Sequence, residues 1–320
     1  MAEYAQINYE LLTDLAPTAE RLVQRHMETR SEWLPHEFVP WSLARDFARG
    51  EQWDPNEFPL PTDVRSALYV NLLTEDNLPF YVRDIDEFAG KEGIWRHWTG
   101  IWTFEEGRHS YAMRTFIEAT RAIDPTALER AREVQVVGGQ VPLVESTLDG
   151  FVYVTLQELA TRIAHLKTAQ RLKESATVLS AERYAIAAQA GYACLQRIAV
   201  DENYHHLLYR DLVAAAIERD PSSVMLAVKK RVEDFEMPGT GIPGFREHAK
   251  IIAKAGIYNP AIHYEKILLP VLTRQWNIQH LTGLTPEAAE AQEFVMTRLE
   301  RLGKIAARIA SREPVLETAQ

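Results

Sequence analysis

Trp102-Thr-Phe-Glu-Glu-Gly-Arg-His109 is the stretch on which the reading of this chain turns. Glu106 and His109 are three residues apart, so on a helix they project from one face, one turn apart. The spacing recurs at Glu202 and His205, within Val-Asp-Glu-Asn-Tyr-His at 200–205. A carboxylate oxygen and an imidazole nitrogen stacked in this way reach one metal ion. Two such turns facing each other hold a pair.

Working outward from Trp102, the flanking segments are helical. The Gly-Lys-Glu-Gly turn at Gly90–Gly93 opens the Glu106 helix, which runs through Phe116 to about Ile123, where Asp124-Pro125 breaks it. Upstream, Thr62 or Asp63 caps a long helix to about Phe88, with Leu68, Leu72 and Val82 on the face of Glu75. Pro79 lies four residues after Glu75. It cannot donate to the Glu75 carbonyl and its ring crowds that carbonyl, so a kink is expected there. A first helix spans about Asn8–Glu28. Between it and Thr62, Glu32–Pro61 is dense in Pro and Trp and reads as an irregular wrapping segment.

Downstream, a short helix ends near Val137, and Gly138-Gly139 and Pro142 mark a loop. A long helix from about Val144 carries Glu158. After a turn near Val178–Ala181, another carries Glu202 and His205 to about Glu218 and is closed by Asp220-Pro221. The rest reads as Ser222–Glu236, Gly244–Ala255, Pro260–His280 and Thr285–Ser311. No segment shows a period of two, so the chain is all-α. Twice a helix with an isolated Glu (Glu75, Glu158) precedes a helix with Glu-x-x-His and then Asp-Pro, a weak internal duplication.

One Glu from each of two helices plus Glu-x-x-His from each of two more is the ligand set of ferritin-like di-iron or di-manganese bundles. The expected architecture is a ferritin-like four-helix bundle over about 62–218, with additional helices over about 222–311, in a single domain of residues 1–320. The opposing reading makes the acids solvated and the histidines ordinary core residues. Burying this many acids without cations is costly, which favours the metal site. Asp201 precedes Glu202 as Glu105 precedes Glu106, and each either orients a ligand histidine or is a solvated acid. Thr161, one turn beyond Glu158, is either back-bonded to its helix or placed to meet bound oxygen. His165, two turns beyond, reads as a supporting histidine.

Composition limits the alternatives. The 320 residues are 46% apolar and 25% charged, an ordinary globular balance, and a formal charge of −10 argues against nucleic-acid binding. The lone Cys194, in an apolar helical pattern, reads as buried filler. The N-terminus lacks a basic region and an apolar region, and no apolar run approaches the roughly 18 residues of a membrane span. A cytoplasmic protein is expected. His205-His206 without membrane spans excludes the membrane-type histidine-box desaturases.

The motifs resemble those of the soluble acyl-[acyl-carrier-protein] desaturases, in particular the bacterial branch. They are WLPHEFVP (33–40), TEDNLPFY (74–81), WTFEEGRH (102–109), LQELATRI (156–163), DENYH (201–205), MPGTGIPGF (237–245) and LTGL (281–284), in family order over nearly the whole chain. The resemblance implies that Glu75, Glu106 and His109 bind one iron and Glu158, Glu202 and His205 the other, with Glu106 and Glu202 bridging. It implies an electron relay of Trp33, Asp201 and His109, and Thr161 as the active-site threonine. It also implies desaturation of an acyl chain on acyl carrier protein, with O2, a ferredoxin-type donor and a homodimer. A hydroxylase or other oxygenase, or a metal-binding scaffold without turnover, is the alternative.

Two departures stand out. The link between Glu158 and Glu202 is longer than the family's by about 14 residues, close to two extra turns on each of two antiparallel helices. If it bulged instead, Glu182 would be the substitute for Glu158. The family's basic docking residues for the carrier are not clearly reproduced: Lys229-Lys230-Arg231 lie nearby but offset, with Glu233 and Asp234 nearer the expected place. An acyl slot between the helices would be lined by Met113 and Phe116, unless these are plain core, the commoner role for such residues.

Overall fold

The computed structural model describes residues 6–176 and 181–310. Among them, apart from an isolated bridge between Gln6 and Ser146, there is no strand, and the all-α expectation holds. Helix α1 (Tyr9–Thr29) leads into an irregular segment with two 3₁₀ turns. This is followed by α2 (Thr62–Glu75), α3 (Leu78–Ala89), α4 (Gly93–Thr120), α5 (Pro125–Gly138), α6 (Thr147–Ser175) and α7 (Glu182–Arg219). Beyond them come α8 (Pro221–Asp234), α9 (Phe245–Lys254), α10 (Pro260–His263) and α11 (Pro286–Ala310). The bundle core is α2, α4, α6 and α7, with α6 and α7 packed along most of their length.

Two expectations at the element level are corrected. The helix expected over 62–88 is two helices, because the Pro79 effect goes beyond a kink. Without an N–H to meet the Glu75 carbonyl, α2 ends at Glu75, and α3 starts afresh with Pro79 in its first turn, where a missing donor costs nothing. The break is pinned from outside. The Ser110 hydroxyl donates to Asp76 Oδ1 at 2.6 Å, Arg114 pairs with Asp76, and Asn77 Nδ2 donates to the Gln140 carbonyl at 2.9 Å.

The helix expected over 260–280 is one α-helical turn that widens into π-helical segments at Tyr264–Leu268 and Pro270–Gln275. Pro270, unable to donate, sits where the wider pattern resumes. Asn277, at φ 52°, then ends the helix in the left-handed region.

The long link is helical on both sides. Helix α6 continues past Glu158 to Ser175, and α7 starts at Glu182, well before Glu202. The turn expected near Val178–Ala181 falls on residues 177–180, which lie outside the described residues, as does Ser311.

Asp124 and Asp220 both act as N-caps, accepting from Thr126 N and Ala127 N and from Ser223 N, so each Asp-Pro starts the next helix as it closes the last. The Pro-rich segment does wrap the bundle. It is fastened at Arg121, a buried residue at φ 60° whose guanidinium pairs with Glu51 and Glu57 and whose carbonyl accepts from Trp53 Nε1.

The apolar interior forms two clusters. One gathers α1, the lower halves of α4, α6 and α7, then α8 and α11, around Phe88, Trp95, Phe151 and Tyr209. The other gathers α2, the upper halves of the same three helices and part of α9, around Leu68, Leu72, Phe116 and Leu195. Cys194 is buried there as filler, and burial raises its thiol to about 12. Met113 and Phe116 belong to this second cluster as well. Between the two clusters lies a layer of acids and histidines.

Candidate metal centre

That layer draws on all four core helices. Glu75 is the last residue of α2, placed there by the proline break. Glu106 and His109 come from α4, Glu158 from α6, Glu202 and His205 from α7, and all are buried. Among the described residues two groups could each hold a metal ion: Glu75, Glu106, His109 and Glu202, and Glu106, Glu158, Glu202 and His205. Within each group, one donor atom per residue lies within 4.8 Å of the others. Glu106 and Glu202 belong to both. Glu182, at the start of α7, belongs to neither.

The donor atoms suit a cation. Glu106 Oε1, Glu158 Oε2, both Glu202 oxygens and the Nδ1 atoms of His109 and His205 are buried without a hydrogen-bond partner. His205 Nδ1 is 2.9 Å from Glu106 Oε1, and His109 Nδ1 is 3.4 Å from Glu106 Oε2 and 3.5 Å from Glu202 Oε1. Orphaned buried acceptors each cost about 1–3 kcal/mol, and more when charged. Burial, and then the carboxylates of Glu106 and Glu202, hold Glu75 well above the usual carboxylate range. Burial, and then Glu202, do the same to Glu158. Burial works against the charged form of Glu202 too, but contacts from His109 and His205 hold it well below that range. Burial disfavours charge on His109 and His205, yet the surrounding carboxylates raise both. Divalent cations would remove this frustration and leave carboxylate and imidazole donors for each ion.

Outside the donors, the two halves support each other crosswise. Asp201, one residue before Glu202, reaches His109 of the other motif, Oδ2 to Nε2 at 3.4 Å. It also accepts from Trp33 Nε1 at 2.8 Å and Arg108 Nη2 at 2.9 Å, and pairs with Arg197. Burial raises Asp201, but His109, Trp33 and Arg197 outweigh it and bring it to about 2. The indole of Trp33 is buried and stacked on His109, with centroids 6.4 Å apart and planes 15° from parallel.

Glu105, one residue before Glu106, reaches His205, Oε2 to Nε2 at 2.9 Å. Because a carboxylate only accepts, this Nε2 carries the hydrogen and Nδ1 is turned to the cluster. Glu105 also meets His26 Nε2 at 2.9 Å and Arg30 Nη1 at 2.5 Å. The solvated alternatives for Asp201 and Glu105 are thereby excluded, as both are buried.

Sequence reasoning missed His26 and Trp102. His26 is buried on α1, 79 positions from its partner, and no local pattern marks it. Trp102 donates from Nε1 to Glu158 Oε1 at 3.1 Å. Its signal was available, since it stands four residues before Glu106 on the same helical face. His165 is the supporting histidine expected, 3.3 Å from Glu75 Oε1 and in neither donor group, and burial lowers it to about 4. Thr161 is back-bonded to the Gln157 carbonyl at 3.1 Å and accepts from Gln157 Nε2 at 2.8 Å.

Two apolar cavities meet at the layer, sharing Thr74, Glu75, Thr161 and Pro238. The first runs down past Trp102, Tyr153 and Val154 to Ile85 and Phe88. The second runs outward under α9, past Val70, Ala164, Phe245 and Ile252. Met113 and Phe116 line neither cavity and are plain core in the second apolar cluster, the commoner of the two roles open to them. No helix among the described residues is long and apolar enough to cross a membrane.

Several known proteins are similar to this chain. A family profile described as fatty acid desaturase matches residues 7–320. A Mycobacterium tuberculosis protein provisionally named acyl-[acyl-carrier-protein] desaturase DesA1 is 35% identical over 294 residues, covering 89% of this chain and 82% of that protein. Stearoyl-[acyl-carrier-protein] 9-desaturase 5 of Oryza sativa is 27% identical over 327 residues, covering 96% and 80%. The X-ray structure of a Mycobacterium tuberculosis H37Rv protein provisionally titled acyl-ACP desaturase DesA2 has the same fold. It matches at a TM-score of 0.68 and 24% identity, covering 88% of this chain and 99% of that one.

Proposed function

The chain belongs to the fatty acid desaturase family, in its acyl-[acyl-carrier-protein] desaturase branch, and from that premise we propose that it inserts a double bond into a saturated acyl chain on acyl carrier protein, using O2 at a non-haem di-iron centre. One observation carries the reading: two overlapping, buried donor groups with unpartnered inner atoms, opening on apolar cavities. Glu75, Glu106 and His109 would hold one iron and Glu158, Glu202 and His205 the other, with Glu106 and Glu202 shared. When bound, the irons supply the activation of O2 and the oxidising power that removes the two hydrogens. The overall change balances: the chain gives up two hydrogens, the donor gives two electrons, and with two protons O2 leaves as two waters.

The chain's own residues do the rest. Ile85, Phe88, Tyr153 and Val154 hold the tail end of the substrate, and the cavity under α9 holds the part nearer the thioester. The carbons between them lie beside Glu75 and Thr161, where water is excluded. Thr161, with Gln157, offers a hydroxyl at that point. Trp33, Asp201 and His109 form the inward path for electrons from a ferredoxin-type donor, with Asp201 kept ionised at neutral pH. We take the working unit to be a cytoplasmic homodimer of a single-domain chain.

The test is mass spectrometry of acyl carrier proteins of several chain lengths after turnover with iron-loaded protein, ferredoxin and O2. A product lighter by two hydrogens is expected. Gain of one oxygen would turn the reading to a hydroxylase. Absence of product at every length, with iron bound, would leave a metal-binding scaffold.

A further inference from the structure

We propose that the exposed face of α9 is the docking surface for the acidic carrier protein that presents the acyl chain, an inference that rests on the function proposed above. Helix α9 has two distinct faces. Phe245, Ala249 and Ile252 line the second cavity. Arg246, Lys250 and Lys254 are exposed and spaced four apart. At 3.6 residues per turn these three cations fall within an arc of about 80°, whose centre is about 130° around the helix from that of the cavity-lining side chains.

The stripe is largely free to act on a partner. Arg246 and Lys254 make no ion pair among the described residues, and Lys250 meets only Glu247, 3.1 Å away on the same exposed surface. Such a pair contributes little. On a chain with formal charge −10, three cations in line form a local field of the opposite sign, which suits an acidic partner and speeds its encounter.

Of the run Lys229-Lys230-Arg231, only Arg231 is wholly committed elsewhere. Arg231 is buried against Asp149 and donates to the Leu143 carbonyl. Lys230 pairs with Glu145 at 2.6 Å and Lys229 with Glu233 at 3.5 Å. Position completes the argument. The rim of the second cavity, at Asn71, Met237, Phe245 and Ala249, is half-buried and includes α9 itself. A carrier held on the outer face of α9 is therefore beside the opening through which its thioester arm must pass, and the inner end of that cavity is Glu75 and Thr161.

The experiment uses the full-length, iron-loaded protein with Arg246→Glu, Lys250→Glu and Lys254→Glu combined, against a Lys229→Glu, Lys230→Glu control. The triple variant should keep its iron content, melting temperature and kcat, while KM for acyl carrier protein rises at least about tenfold and its dependence on salt flattens. The control should stay within about twofold of wild type. An unchanged KM in the triple variant overturns the docking surface, and so does a fall in kcat with KM intact. Wild-type protein that neither binds nor turns over acyl carrier protein sinks the functional reading itself, an outcome distinct from a wild type that works and a variant that works equally well.

Discussion

Glu106 and Glu202 stand in both donor groups, so each is expected to touch both metals while Glu75 and Glu158 touch one. Glu106→Ala should therefore remove the paired-iron optical and Mössbauer signature altogether, not halve it. A variant that retains a coupled pair would show that Glu106 does not bridge. Proton competition gives a second expectation. Glu75 and Glu158 are raised by burial and by neighbouring carboxylates, so the metal-free site holds protons that binding must expel. Metal affinity should rise as the pH is taken from acidic to mildly basic, with protons released on binding. A competition titration giving the same affinity across that range would refute this. The crosswise supports should act separately. His26→Phe, which removes one anchor of Glu105, should weaken metal binding about tenfold and disturb the spectrum of the iron on the His205 side. Trp33→Phe should leave iron content intact and slow reduction by ferredoxin. Equal effects of the two variants on both irons would overturn the distinction.

Helix breaks and close approaches set where these side chains go. The Pro79 break was legible because a proline's missing N–H is a local fact. That it ends α2 outright depends on Asp76 being held by Ser110 and Arg114, which no sequence pattern announces. The same applies to the widened turns around Pro270, where packing rather than periodicity decides the helix type. Gly150 on α6 shows what such contacts demand: a Cβ there would lie 2.5 Å from the ring of Phe88, which closes the first cavity. Gly150→Ala must push that ring aside, at about 1–3 kcal/mol. Lower thermal stability and a shifted chain-length preference in turnover assays should appear together. A variant with wild-type melting and the same preference would mean that the floor is more yielding than its distances indicate.

The two halves of the molecule, α2 to α4 and α6 to α7, repeat one scheme, and this was visible in the sequence as Glu, Glu-x-x-His and Asp-Pro twice over. The candidate donors were legible because Glu-x-x-His occurs on two helices, each preceded by a helix with an isolated Glu. The cavity under α9, the face of α9 and the role of His26 were not, because they arise where distant segments meet. Since the donor layer separates two apolar clusters, ions bound there stabilise only the folded bundle. At a metal concentration about a hundred times Kd, the gain is about 2.7 kcal/mol per site. Calorimetry should find the iron-loaded form melting above the metal-free form, and equal melting temperatures would contradict linkage between site and fold. The layer also has a bearing on how the chain finds its structure. Sliding α6 past α7 by one turn, about 5.4 Å, would drive Glu158 or Glu202 in among leucines and phenylalanines. The acids thus work as an index mark that tells long, Ala- and Leu-rich helices where to stop against each other, a cue that a uniformly oily interface lacks. Replacing Glu106, Glu158 and Glu202 together by leucine should give a bundle that melts higher yet shows broadened, multiple NMR resonances for the α6–α7 pair. A single sharp set would show that alignment comes from elsewhere.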